Sequence, residues 1–226
     1  MSTAKTDLAV TRLTGVPYDT YVQLRDARGN RHLRMAYHDG VLEIMSPEFR
    51  HEKGGWRLGL LVFAYAAAFE VACEAAGATT FRKGLPGQLK GKGKEPDASF
   101  YRGDAAVLVK DRDVLDLAVD PPPSLWVEVD NRARSAANLP LYAALGVPEV
   151  WRFRPRARRL WFGRLDGASY AALDVSIVLP GLTPRLVLGL LAEAESRGMS
   201  AWDRWLRDAW FPEHRQELFD RGAGRA

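Results

Sequence analysis

Two carboxylates stand where chemistry is possible. Asp97 opens the alternating run Ala98-Ser99-Phe100-Tyr101, and Glu128 lies 31 positions later inside Leu125-Trp126-Val127-Glu128-Val129. Both runs read as strands. Acids are rarely buried without a partner or a metal, so Glu128 among Leu125, Trp126, Val127 and Val129 is the more unusual of the two. If the strands are neighbours, the two side chains meet and can share a divalent cation with oxygen ligands. The bland alternative stays open: Asp97 caps a turn and Glu128 pairs with an arginine. Roughly 3–7 Å between the carboxylates is the separation a shared cation needs.

The elements that must hold these residues follow from pattern. Pro17-Tyr18-Asp19 starts a helical turn, and Asp26 to Asn30 is a turn by composition. Leu33, Met35 and Tyr37, then His38-Asp39-Gly40, then Val41, Glu43 and Met45 spell a hairpin, closed by Ser46-Pro47. Apolar positions at helical spacing run from 51 to about 76, with Gly77 as C-cap, and Gly54-Gly55 marks an irregular first turn. Cys73 then falls in that helix as a packing residue. Residues 82–94 read as a glycine-rich basic loop without Walker spacing, in which Lys90, Lys92 and Lys94 contact phosphate beside Asp97 or simply face water. Val107 to Val109 reads as a strand, 139–145 as a helix, 150–153 and 160–162 as strands, and 186–194 and 201–210 as helices. The end of the chain, 211–226, reads as a flexible tail.

Composition narrows the class. The 226 residues carry 32 basic and 28 acidic side chains, 47% apolar content and one cysteine. One globular domain with a full core is implied, and an intrachain disulfide or cysteine metal cluster is excluded. The charge of +4 permits a polyanionic partner without requiring one. The four histidines, at 32, 38, 51 and 214, show no zinc spacing. The longest apolar run is too short for a bilayer and Met1 to Asp7 has no leader character, so a cytoplasmic protein that avoids membranes is expected.

Linked motifs then point to a family. Asp39-Gly40-Val41-Leu42-Glu43-Ile44-Met45-Ser46-Pro47, His51-Glu52, Glu95-Pro96-Asp97, Val127-Glu128-Val129 and the segment Leu139-Pro140-Leu141-Tyr142 through Trp151 occur in one order. This pattern resembles the Uma2-type restriction endonucleases of the PD-(D/E)XK superfamily, over residues 15–210. The resemblance implies an α/β (α+β) fold: a restriction-endonuclease-like mixed sheet flanked by helices, with an N-terminal hairpin and C-terminal helices. It further implies a homodimer and a Mg²⁺ (or Mn²⁺) site that hydrolyses DNA. Asp97 and Glu128 would be metal ligands, with the backbone oxygen of Val129. Glu43 and Glu52 would be additional acids, while His51 and Tyr142 would support them.

The pattern's lysine is missing. Asp130 stands where the motif expects it, and Asn138 stands where relatives place it on the following helix. Lys83, Lys90, Lys92, Lys94, Arg132 or Arg134 would replace it only by folding inward. Asn138 before Leu139-Pro140 also suits a helix N-cap. The alternative function is therefore a catalytically weakened nuclease-fold protein that binds nucleic acid or another macromolecule. Crowded carboxylates repel, so their removal is expected to leave the fold standing. Trp202, Trp205 and Trp210 are expected to be shared between the core and a homodimer contact.

Overall fold

The computed structural model describes residues 10–45, 49–85, 88–130 and 134–223; the side chains at 49–51 and 134–135 lie outside the described set. In chain order the first elements are β1 (Thr11–Leu13), α1 (Tyr18–Asp26), β2 (Arg34–His38), β3 (Val41–Met45) and α2 (Phe49–Ala68). Then come β4 (Cys73–Ala75), β5 (Phe81–Gly84), β6 (Gly91–Lys94), β7 (Ala98–Arg102) and α3 (Asp104–Val109). The second half holds β8 (Leu125–Val129), α4 (Leu139–Leu145), β9 (Glu149–Arg154), β10 (Arg159–Asp166) and β11 (Ser169–Leu173). Helices α5 (Pro184–Arg197), α6 (Met199–Trp205) and α7 (Phe211–Ala223) close the chain, with one π-helical turn between the last two.

Two sheets result. The smaller runs β1-β3-β2-β6-β5 and is antiparallel; the larger runs β11-β10-β9-β8-β7-β4, with β8 parallel to β9 and α4 in the crossover. Alternation along β8 sends Leu125, Val127 and Val129 to one face, where α2, α5, α6 and α7 cover the main core. Trp126 and Glu128 point the other way. There, the smaller sheet and α4 meet them: the Phe81 ring lies 5.3 Å from Trp126, and Trp126 lies 5.3 Å from Tyr142. Such aromatic contacts are each worth about 0.5–1.5 kcal/mol beyond their area.

Several sequence expectations change here. The glycine-rich basic segment is a hairpin, and β6 lies inside the smaller sheet rather than in a loop. The reason is close packing under two tyrosines. A Cβ on Gly91 would lie 2.4 Å from Tyr18 Cδ2, and one on Gly93 would lie 2.2 Å from the Tyr21 hydroxyl. Glycine in a strand commonly marks such an approach. The helix expected to reach 76 stops at Ala68. Glu70 takes φ 54° and the chain turns into β4, so Cys73 is a strand residue and Gly77 caps no helix. Residues 107–109 are helical, within α3.

Gly54 and Gly55 sit in regular helix, where they let α2 touch the sheet. Their Cβ atoms would come within 2.8 Å of Val129 Cγ1 and 3.1 Å of the Asp97 carbonyl oxygen. Residues 211–223 form α7 instead of a frayed end, with Phe211 and Leu218 buried. Trp202 and Trp210 are buried in the main core, and Trp205 packs beside them under Arg197, 4.4 Å from its ring. Ser46-Pro47 and Arg132 lie outside the described residues, as do the side chains of His51 and Arg134.

Candidate active site

The carboxylates occupy one end of the β7–β8 pair. Ala98 pairs with Val127, and Asp97 continues that register to the level of Glu128. Asp97 ends the ladder with its side chain: Oδ2 accepts the Val129 N–H at 2.6 Å, while its own N–H donates to the Val127 carbonyl at 3.1 Å. Both carboxylates act on one group, the hydroxyl of Tyr142. That hydroxyl is fully buried, and burial beside Glu128 and Asp97 holds its pKa well above the ordinary phenol value. It therefore stays a neutral O–H group, facing Glu128 and Asn138 without a well-formed hydrogen bond to either.

Glu128 is fixed from two sides. The Trp126 indole N–H donates to Oε1 at 2.6 Å, a contact set up by the two-residue repeat that puts both side chains on one face. Lys94 Nζ approaches Oε1 to 3.3 Å and Oε2 to 3.5 Å, and donates to the Glu95 carbonyl at 2.9 Å. The side chains of this pair are only 6% and 7% exposed. Two charges so far from water persist only when each satisfies the other. Lys94 is thus a buried strand residue and not part of an exposed loop. It is the buried cation of the carboxylate site, delivered by β6 from the sheet below.

The register explains how. Lys94 lies opposite Ala36 on β2, and Ala36 lies opposite Glu43 on β3, so all three share a face. The strand spacing of about 4.8 Å then leaves Glu43 about 10 Å from Lys94, measured between backbones. Glu43 is half-buried, 3.9 Å from Arg12. Glu52, on the first turn of α2, pairs with Arg34 at 3.2 Å. Among the described residues, no three His, Cys, Asp or Glu side chains come together as a metal cluster. Asn138 occupies the N-cap position of α4, but its side chain makes no capping hydrogen bond. Asp130 is buried, and Arg152 of β9 comes within 4.0 Å of it. Lys92 pairs with Asp39 at 3.2 Å, while Lys90 is exposed.

Three pairings were not read from the sequence: Lys94 with Glu128, although Lys94 was among the lysines that could fold inward, Trp126 as donor to Glu128, and the burial of the neighbouring Glu95. The last is buried, with Arg25 at 2.6 Å and bonds from Thr80 and the Met35 N–H. The signal for Lys94 was the alternation Gly91-Lys92-Gly93-Lys94 itself, which has strand period even though its apolar content is nil.

With this geometry in view, the comparisons are decisive for the family. Residues 18–193 match the Uma2 family, described as "Putative restriction endonuclease". The chain belongs to the Uma2 family. A solved structure has a similar fold: a "putative nuclease belonging to DUF820" from Anabaena variabilis ATCC 29413 superposes with a TM-score of 0.51 at 11% identity, covering 77% of this chain and 98% of that one. No curated protein matches. Among the described residues of this Uma2 chain, no helix is long and apolar enough to cross a membrane.

The donor chemistry of the Uma2 site fits a hard cation in a minimal way. Mg²⁺ is commonly held by one or two carboxylates, with water and substrate phosphate completing the shell. Asp97 and Glu128, with the Val129 backbone oxygen, would be the ligands.

Proposed function

We propose that this Uma2-family protein is a nuclease-fold protein that binds nucleic acid at the Asp97–Glu128 end of β8, with hydrolytic capacity reduced relative to a full metal cluster. The observation that carries this reading is the engagement of Glu128. It is paired with Lys94 and bonded by Trp126, and among the described residues no third acid joins it. Glu43 and Glu52, the candidates for that third acid, are tied to Arg12 and Arg34.

A second reading is favoured by Lys94: a Mg²⁺- or Mn²⁺-dependent endonuclease that hydrolyses DNA phosphodiester bonds. Lys94 supplies the cation that Asp130 and Asn138 do not. When bound, a divalent ion would raise the hydroxide fraction of its water and offset charge on the phosphate. The ammonium of Lys94 would hold the attacking water and stabilise developing negative charge. The neutral Tyr142 hydroxyl would donate a hydrogen bond to the same oxygens, and Asp97 would orient the Val129 backbone through its bond at 2.6 Å. A homodimer belongs to both readings. Its contact would lie away from Trp202 and Trp210, which the core already buries; a monomeric mass by light scattering would remove it.

One experiment separates the readings. Supercoiled plasmid and a labelled single strand are incubated with Mg²⁺, Mn²⁺ or chelator, using the wild type and the Asp97→Ala, Lys94→Met and Asn138→Lys variants. The binding reading expects retention of nucleic acid with little cation-dependent cleavage. The nuclease reading expects cleavage that falls by about 100- to 1,000-fold in Lys94→Met, the usual loss for one charge-stabilising donor, and that disappears in Asp97→Ala. Cation-dependent cleavage that survives Asp97→Ala in clean protein would mean the site is misplaced. A wild type that retains no nucleic acid at low salt would sink both.

A further inference from the structure

A second feature lies on the α2 face of the larger sheet, next to the main chain of Asp97. The first turns of α2, the turn between β9 and β10, and α5 enclose a cleft of about 620 Å³. Its lining carries Lys53, Arg57, Arg156 and Arg158 against one carboxylate, Glu195. Arg57 reaches Glu195 at 3.6 Å and the Ala194 carbonyl at 3.4 Å, yet its buried Nε has no hydrogen-bond partner. Lys53, Arg156 and Arg158 are exposed, and among the described residues they enter no ion pair. Arg158 is held at φ 46°, a backbone state uncommon for a residue with a side chain, at the tip of this turn.

Like charges gathered around one cleft repel unless a polyanion lies between them. The cleft is also tied to the site. Gly54, part of its lining, touches Val129, and the next residue, Gly55, touches Asp97. Trp56 follows on the same turn, outside the cleft lining, with 68% of its surface exposed. Stacking on a base would cover it.

We propose that this cleft holds the sugar-phosphate backbone of the nucleic acid strand flanking the carboxylate site, with Lys53, Arg57, Arg156 and Arg158 as phosphate contacts and Trp56 as a stacking surface for an unpaired base. The inference rests on the nucleic-acid reading above and names its substrate class: a strand with unpaired nucleotides beside the carboxylates. Trp56 discriminates here, since a base inside a duplex has no free face to offer.

The test measures anisotropy of a labelled 30-nucleotide single strand and of the matching duplex, in chelator, between 50 and 200 mM salt. The proteins are the wild type, Arg156→Ala/Arg158→Ala, Lys53→Ala and Trp56→Ala, each checked for an unchanged melting temperature. Each lost phosphate contact should flatten the dependence of log K on log salt by about 0.7 on the single strand and about 0.9 on the duplex. The double variant should bind both at least tenfold more weakly, and Trp56→Ala should weaken the single strand more than the duplex. Wild-type binding with unchanged affinity and salt slope in the cleft variants overturns the cleft alone. A wild type that binds no oligonucleotide overturns the nucleic-acid reading beneath it. Equal, cleft-dependent binding of polyglutamate would make this an acidic-peptide site and end the proposal.

Discussion

Replacing Lys94 with methionine keeps the length of the side chain and removes its charge. Glu128, 7% exposed, then loses the ammonium that now lies 3.3 Å from Oε1. Removing one member of a buried pair costs about 3–5 kcal/mol, because the remaining charge is left without compensation. A chain of this size loses about 2–4 °C of melting temperature per kcal/mol, so Lys94→Met should melt about 6–20 °C lower. Glu128→Gln should fall by a similar amount through the stranded ammonium, although it keeps an acceptor for the Trp126 indole. The double variant, Lys94→Met/Glu128→Gln, removes both charges and should return to within about 2 kcal/mol of the wild type. The Lys94 pair thus predicts the opposite of the expectation from crowded carboxylates, that removing Glu128 leaves the fold intact. Calorimetry or denaturant melts of the four proteins form a double-mutant cycle. Additive losses, or a Lys94→Met protein that melts within about 2 °C of the wild type, would refute the claim that the pair is buried and mutually dependent.

Three further outcomes are expected. Glu149 is buried with its pKa raised by that burial, against bonds from Ser176, Trp151, Val178 and Ile177. The folded chain therefore binds its proton more tightly than the unfolded chain does. Its contribution is complete below the unfolded pKa and declines as pH rises through the folded one, so the stability of wild type relative to Glu149→Gln should decrease from pH 4 to pH 7 in urea melts. A gap that widens with pH would contradict this. Cys73 is pushed up to about 11 by burial, with Glu74 adding to it, so iodoacetamide at pH 8 should label the folded chain about 100-fold more slowly than the unfolded one; equal rates would refute it. Gly93→Ala, whose Cβ would meet the Tyr21 hydroxyl at 2.2 Å, should lower stability by about 1–3 kcal/mol through overpacking, and an unchanged melting midpoint would show that the tyrosine yields freely.

Local rules carried most of the fold. Strands β2, β3, β7, β8 and β9 announce themselves by alternation, and the Asp39-Gly40 turn by residues that accept positive φ, as they do at 45° and 90°. What stayed hidden has one common cause, that burial is a tertiary property. Gly91-Lys92-Gly93-Lys94 has strand period but no apolar residue to say that the strand is buried; only the Tyr18 and Tyr21 rings above it make glycine the fitting choice. The two acids could be singled out because their neighbours are apolar. Their cation stood only as one of six candidates that could fold inward, since it arrives from the other sheet. The residues beyond 68 read as helix because alanine favours one, but Glu70 in a left-handed state ends it in favour of β4.

The glycine pair in α2 has a mechanical consequence. Side chains normally form a compliant layer between a helix and a sheet, able to change rotamer when either element shifts. At Gly54 and Gly55 that layer is missing on the helix side, and α2 rests directly on Val129 and on the main chain of Asp97. A displacement of α2 by anything seated against Lys53 or Arg57 would therefore be passed to the carboxylate end of β8 without a change of rotamer on the helix side.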